Sequence, residues 1–474
     1  MNPNNPRDMI GSSSSLDKDD DDDDHHDDLA LNHGLDGDLS EDLLEDHRAK
    51  LKTAIGRLTK LQVRSSKNNL DHLETPWPVF SKSSTTLQSS GVNNLDHRRR
   101  HHHLLCLHKY QNDRYYQWLA ASLGRTGRDH MDYQAILHTF GQIRGQVCSV
   151  AREIYGCNFL KFRLQNGNPE EKHMIFSEAK EDLCSLMVHR VGNILVKHLI
   201  QVVKEDKLLE ILIVLTRDVR RLGSVCSDDN GTMVMMGLVM RLRTQEQESL
   251  LISAMACIAL TMAKSKNGNL VINCCLKHFH AHIVEPLLGV MATKCLEIAT
   301  DKYGYCILQN YILKAKDCIP FKGEVFNTLV ANIIQNAHFL SEHCYGNYVV
   351  QWLIELKMPQ INQGITTQLE GRFVSLSMKK QGSNVVEKLL IMSGEEIANR
   401  ITNEILSSSR SLEVLRDPYG NSVARFALEA STGSVRNALD QLIVIYSPQL
   451  ENHVYGKRLL HEISLSKKHK RSPA

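Results

Sequence analysis

Tyr345-Gly346-Asn347-Tyr348-Val349-Val350-Gln351 returns 36 residues later as Gln381-Gly382-Ser383-Asn384-Val385-Val386-Glu387. The arrangement is not confined to this pair. Glycines introducing amphipathic segments stand at Gly156, Gly192, Gly231, Gly268, Gly304, Gly346, Gly382, Gly420 and Gly456, at intervals of 36, 39, 37, 36, 42, 36, 38 and 36. Two apolar residues follow at the third and fourth positions, as in Leu195-Val196, Val271-Ile272, Ile307-Leu308, Val349-Val350 and Val385-Val386. Two more come four residues later, as in Leu199-Ile200, Cys275-Leu276, Tyr311-Ile312, Leu353-Ile354 and Leu389-Leu390. Residues spaced i, i+1, i+4, i+5 form one buried helical face. A fixed period of this length describes a solenoid, in which each unit buries its core only against its neighbours. The widest interval holds Pro320 and Phe321-Lys322-Gly323, which read as an enlarged loop.

Working outward, the chain has 474 residues, 42% hydrophobic and 23% charged, with a net charge of +2. That balance is ordinary for a globular chain, so only the distribution of charge can speak about partners. Twelve cysteines are scattered without a C-x-x-C pair, and no apolar signal core follows Met1. Reduced, intracellular thiols are the expectation. The longest nearly apolar stretch, Leu250 to Ala263, is too short to span a bilayer and is expected as a buried core helix. No membrane association is expected.

Residues 1–131 have a different texture and are expected to be mostly disordered. Asp17 to Asp28 holds nine aspartates in twelve residues, which no core could bury. Within this region Ser40 to Gln62 can form one helix, with Leu43, Leu44, Leu51, Ile55 and Leu58 as a loose apolar stripe. A serine-rich stretch (Ser81 to Ser90) and the basic run from His97 to His103 follow, and a second basic tail occupies 466–474. Both basic runs suit solvated tails, phosphate contact or nuclear import.

The chemistry lies in the first, second and fifth residues after each glycine. The outer two are four apart and share one side of a helix, so two side chains can grip the edge of a flat base, and the middle one can stack on it. Glu387 only accepts hydrogen bonds, which suits guanine's donating edge. Gln351 and Asn347 each carry a donor and an acceptor, matching the mixed edge of uracil.

These segments, together with Asp417-Pro418-Tyr419-Gly420-Asn421-Ser422-Val423, resemble Pumilio repeats. Gly141-Gln142-Ile143-Arg144-Gly145 resembles the lead-in to the first repeat, and Tyr455-Gly456-Lys457 the C-terminal cap. The resemblance covers 132–470, about 70% of the chain. It implies an all-α fold, a curved right-handed armadillo-like superhelix of about eight three-helix repeats. It also brings the rule of one RNA base per repeat, for which these repeats are the known example. It further implies antiparallel binding, with the C-terminal repeats on the 5′ end. Ser383, Asn384 and Glu387 then match a guanine reader, and Asn347, Tyr348 and Gln351 a uracil reader.

Repeat eight keeps Asn421 but has Ser422 in place of the usual stacking aromatic and Arg425 in place of Gln. Repeat five keeps Gln309 beside Cys306, with Tyr305 in the place of a small residue. A U-G-U-[A] core is the expected target. Repeats one to four depart further, offering Cys157, Asn158, Lys161; Asn193, Ile194, Lys197; Thr232, Met233, Met236; and Asn269, Leu270, Asn273. Poor specificity is expected on the 3′ side.

The expected partner is single-stranded RNA of mRNA 3′ untranslated regions, bound by a cytoplasmic monomer with a nuclear pool. Repressor or decay proteins would be recruited, lowering translation or speeding decay. No cofactor, metal or enzymatic activity is expected: the chain has no P-loop, H-E-x-x-H or G-x-S-x-G. Two rivals stay open: a nuclear or nucleolar RNA-processing factor with loose specificity, and a helical-repeat scaffold for proteins.

Overall fold

The apolar pairs behind each repeat glycine are the residues removed from water. Leu195, Val196, Ile272, Leu308, Val349, Val350, Leu353, Val385, Val386 and Leu389 are all 0% exposed. Each such burial stabilises by roughly 1.5–3 kcal/mol, which ties the repeat to its offsets. The computed structural model describes residues 40–68, 143–317 and 323–469. Among these the regular elements are helices, and from Val147 onward they fall into eight consecutive triplets ending at Leu450, followed by Val454–His469.

Each triplet has a short helix, a middle helix that carries the repeat glycine, and an outer helix. Repeat six, for example, is Ala337–Glu342, Gly346–Glu355 and Pro359–Leu369. Middle helices pack on middle helices: Gly346–Glu355 lies on Lys380–Met392, which lies on Gly420–Ala430. Outer helices do likewise, with Gln245–Cys257 on Ala281–Thr293 and the latter on Glu324–Gln335. The stretch Leu250 to Ala263 is buried, but it is two helices rather than one. Gln245–Cys257 ends at Ile258, and Ala259–Ala263 opens the next repeat.

The glycines are there for space. None of those at 192, 231, 268, 304, 346, 382, 420 and 456 needs a positive φ. A Cβ at Gly231, Gly268 or Gly304 would stand 2.1, 2.4 or 2.4 Å from the carbonyl oxygen six residues earlier, in the short helix. The middle helix crosses the short one with backbone against backbone. Three residues before the glycine a side chain caps that crossing. Asp301 Oδ1 accepts from Tyr303 N and Gly304 N, both at 2.8 Å, and Asp417 does the same for Tyr419 and Gly420. His343 Nδ1 accepts from Tyr345 N and Gly346 N, both at 3.2 Å. These side chains satisfy N–H groups that a helix start leaves without partners.

The helix expected over 40–62 runs from Glu41 to Asn68 and lies across the outer helices of repeats two and three, Glu205–Thr216 and Gln245–Cys257. Leu43, Leu44, Leu51 and Leu58 face the core as the stripe requires, and Ala54 is fully buried. Ile55, assigned to the same stripe, is 39% exposed instead, because His47 and Ala54 hold the inward line. The His47 ring is buried; its Nε2 donates to Thr216 O at 2.6 Å and its Nδ1 lies 3.0 Å from Ser253 Oγ. Burial lowers its pKa, against the Thr216 hydrogen bond. Cys257 Sγ donates to Leu43 O, and Arg57 pairs with Glu246. The aspartate run, the Ser81–Ser90 stretch, the His97–His103 run, Gly141-Gln142 and Pro320-Phe321-Lys322 lie outside the described residues, as does the end of the basic tail.

Candidate nucleic-acid interface

The three positions after each glycine have three different environments, and the assignment repeats along the array. The first is buried in seven repeats: Cys157 1%, Asn193 3%, Thr232 2%, Asn269 7%, Asn347 1%, Ser383 2% and Asn421 7% exposed. The second is exposed at Asn158, Ile194, Met233, Leu270, Tyr348 and Asn384, and half-buried at Cys306 and Ser422. The fifth is half-buried throughout: Lys161, Lys197, Met236, Asn273, Gln309, Gln351, Glu387 and Arg425. A ladder of exposed apolar or flat groups, flanked by half-buried polar ends, therefore runs along the middle helices.

The burial of the first position differs from the sequence expectation, which set both outer members on one solvent-facing side. The cause is the glycine crossing. The residue after it sits against the short helix, and its donor is drawn into backbone bonds. Asn269 Nδ2 donates to Ala263 O and to Tyr303 O of the next repeat (2.9 and 3.0 Å). Asn421 Nδ2 donates to Leu415 O and to Tyr455 O (3.1 and 2.9 Å), and Cys157 Sγ reaches Val191 O. Asn193 Nδ2 donates to His189 O and Arg190 O. Thr232 Oγ1 donates to Cys226 O. In repeats one, two, four and eight this side chain thus links one repeat to the next, Asn193 through Asn230 Oδ1 at 3.4 Å.

In repeats six and seven, as in repeat three, the first residue bonds only within its own repeat, and in repeat six it also engages the fifth residue. Asn347 Nδ2 donates to His343 O and Cys344 O within its own repeat, and its Oδ1 accepts from Gln351 Nε2 at 2.9 Å. The two amides form one polar unit beside the exposed Tyr348 ring. Ser383 Oγ donates to Lys380 O, also in its own repeat. Burial pushes the Glu387 carboxyl above the usual range; a hydrogen bond from Ser422 and the charge of Arg425 oppose that shift. The Glu387 acceptor therefore stands beside two side chains of the following repeat. Lys388 pairs with Glu355 at 2.7 Å, holding repeats six and seven in register.

Repeat five is the exception at the first position. Tyr305 is half-buried, and its ring stacks on those of Tyr345 (5.4 Å), Tyr348 (5.7 Å) and Trp352 (5.8 Å). The capping residues Asp301, His343 and Asp417 were not singled out in the sequence, although a capping side chain three residues before the glycine is its own signal. Among the described residues no group of three His, Cys, Asp or Glu side chains could hold a metal ion, and no helix is long and apolar enough to cross a membrane.

The family pattern described as the Pumilio-family RNA binding repeat matches residues 146–178, 259–291, 294–310, 336–362 and 372–406. Pumilio homolog 12 of Arabidopsis thaliana is 34% identical over 352 residues, covering 74% of this chain and 57% of that protein. Pumilio homolog 11 of the same plant is 32% identical, covering 72% and 59%. The chain thus spans less than two thirds of either relative. Among solved structures, the Puf4 RNA binding domain bound to an HO endonuclease RNA 3′ UTR recognition sequence aligns with a TM-score of 0.55 at 24% identity. That alignment covers 67% of this chain and 98% of that one. The RNA-binding domain of yeast Puf5p bound to MFA2 RNA aligns with a TM-score of 0.56 at 18% identity, covering 68% and 96%. These two likenesses establish the shared solenoid fold.

Proposed function

We propose that this chain, which belongs to the Pumilio family of RNA-binding repeat proteins, reads single-stranded RNA around a U-G-U core in mRNA 3′ untranslated regions. The observation that carries the reading is the ladder itself. Tyr348 and Asn384 stand exposed where bases would stack, and Gln351 and Glu387 are half-buried at their edges. Glu387 offers guanine an acceptor and no donor. Gln351, oriented by Asn347 Oδ1, offers uracil its Oε1 as acceptor and its second Nε2 hydrogen as donor.

Asn421, like Asn347, has both donors committed to backbone, but the fifth residue here is Arg425, which only donates, so the 5′ uracil would be held by Ser422 and Arg425 with weaker identity. On the 3′ side Lys161 and Lys197 suit phosphate or base acceptors, and Met236 offers no hydrogen bond to a base edge. The reading assigns no catalytic step: the bound message would be repressed or destabilised by recruited proteins, in the cytoplasm. The RNA-bound Puf4 and Puf5p domains, which share the fold, support the ligand class.

The test is binding of the full chain to a short U-G-U-A RNA at about 150 mM salt, because phosphate contacts alone give salt-sensitive, sequence-blind affinity. A copy with G replaced by A is expected to bind about tenfold more weakly, one edge contact being worth roughly 1–3 kcal/mol by analogy with base readout elsewhere. Glu387→Gln should erase or reverse the preference. Equal, weak binding of both RNAs would refute the reading and favour a scaffold or a loose RNA-processing factor.

A further inference from the structure

The other seven first positions hold residues that fit the glycine crossing; Tyr305 does not fit. Beside Gly304 the backbone is as close as elsewhere, with Ile298 O 2.4 Å from where a Cβ would stand. A phenol ring cannot enter that slot. It turns instead toward the next middle helix and lies nearly parallel to the Trp352 ring (5°) and close to parallel to Tyr348 (28°). Tyr348 and Trp352, one helical turn apart, themselves stack at 6.2 Å. Tyr348 is therefore covered, from the side of the preceding repeat, by a protein ring.

A base held between two flat groups needs a contact of roughly 3.5–4 Å on each side, so the flanking rings would stand about 7–8 Å apart. The Tyr305 and Tyr348 centroids are 5.7 Å apart, which leaves no room for a base between them. Gln309, the half-buried fifth residue of this repeat, then has no base to meet at its edge.

We propose that Tyr305 takes the place of a base: it fills the step between repeats five and six, and the nucleotide immediately 3′ of U-G-U passes unread. This rests on the RNA reading above and replaces its expected adenine with any nucleotide. Tyr305 is thus a specificity-determining residue by occupation, and the recognised sequence is U-G-U-N.

The experiment measures the affinity of the full chain for four RNAs differing only at N, beside the control in which G is replaced by A. Wild type is expected to hold all four N variants within about twofold. Tyr305→Ser, which vacates the step and frees Gln309, should widen the spread to about fivefold or more, the scale of one hydrogen bond. Tyr305→Phe keeps the ring and should behave as wild type. A wild-type spread of about fivefold or more, or a Tyr305→Ser chain that folds and gains no discrimination, overturns this inference while leaving the U-G-U reading intact. Loss of the G preference in wild type overturns both. The wild-type and Tyr305→Phe measurements decide the matter even where Tyr305→Ser does not fold.

Discussion

Gly268→Ala and Gly289→Ala are the same chemical change inside helices of the same repeat, and the structure assigns them opposite signs. Both helices, Lys266–His278 and Ala281–Thr293, gain about 0.5–1 kcal/mol from the better helix propensity of alanine. At Gly289 nothing lies within 4 Å of the new Cβ, so that gain stands alone. At Gly268 the Cβ would meet Met262 O at 2.4 Å and Met262 Cα at 2.8 Å. Those are backbone atoms of the short helix and cannot rotate away, so the middle helix must retreat by about 1 Å and loosen its contacts with both neighbouring repeats. Overpacking of this kind costs about 1–3 kcal/mol, and the helix-propensity gain offsets only part of it. The expected outcome is a lower thermal midpoint for Gly268→Ala and an equal or higher one for Gly289→Ala. Hydrogen exchange should show faster opening of 259–278 in the former. If Gly268→Ala is as stable as wild type, the close-crossing account of the repeat glycine is wrong.

Lowering the pH should blunt guanine preference earlier than an ordinary carboxylate would. Burial raises the Glu387 pKa, so the acceptor becomes protonated at a higher pH, and the ratio of G to A binding should fall on acidification while Glu387→Gln stays flat. The same raised value means that ionised Glu387 opposes folding: its stabilising contribution is full below about pH 4.3 and is lost as pH rises through the folded value. His47 has the opposite linkage. Its lowered folded pKa makes docking of Glu41–Asn68 full above the ordinary histidine value of about 6.5, and that contribution is lost as pH falls through the lowered folded value. Amide protection factors in that helix, which remove the base-catalysed pH dependence of exchange itself, should therefore fall on acidification, and His47→Ala should remove most of that change. Among the described cysteines, Cys344 is exposed and should alkylate first, whereas Cys226, fully buried and pushed up to about 12, should react only on unfolding. Comparable rates for the two would contradict the burial described.

The repeat was legible because it is written in residues whose burial has few substitutes: a glycine where backbones touch, then paired aliphatics. The second and fifth positions were legible for the same reason, since helix geometry fixes their direction. Burial of Asn193, Asn269, Asn347 and Asn421 was not. A helix-surface asparagine and one folded back onto a carbonyl have the same sequence, and only the approach of the neighbouring helix distinguishes them. Tyr305 was visible as a departure from the pattern, but where its ring goes depends on Tyr345, Tyr348 and Trp352 in another repeat. The N-terminal helix was legible as a helix. Its docking site was not, because the stripe of leucines does not say which outer helices receive it.

That docked helix changes how the chain assembles. Elsewhere each helix meets partners about one repeat away in sequence, and the entropy of closing such short loops is modest. The His47–Ser253 contact closes a span of 206 residues. Closure over so long a tether is slower and is rewarded only when both receiving helices are already in place. The helix is therefore expected to dock after the repeats that receive it. While docked it joins repeats two and three through a third body, which should hold the spacing between them more tightly. On that footing the solenoid would act as a spring with two adjacent coils clamped together. RNA lying along it would be followed flexibly by the C-terminal coils and would meet a fixed pitch at the clamped ones.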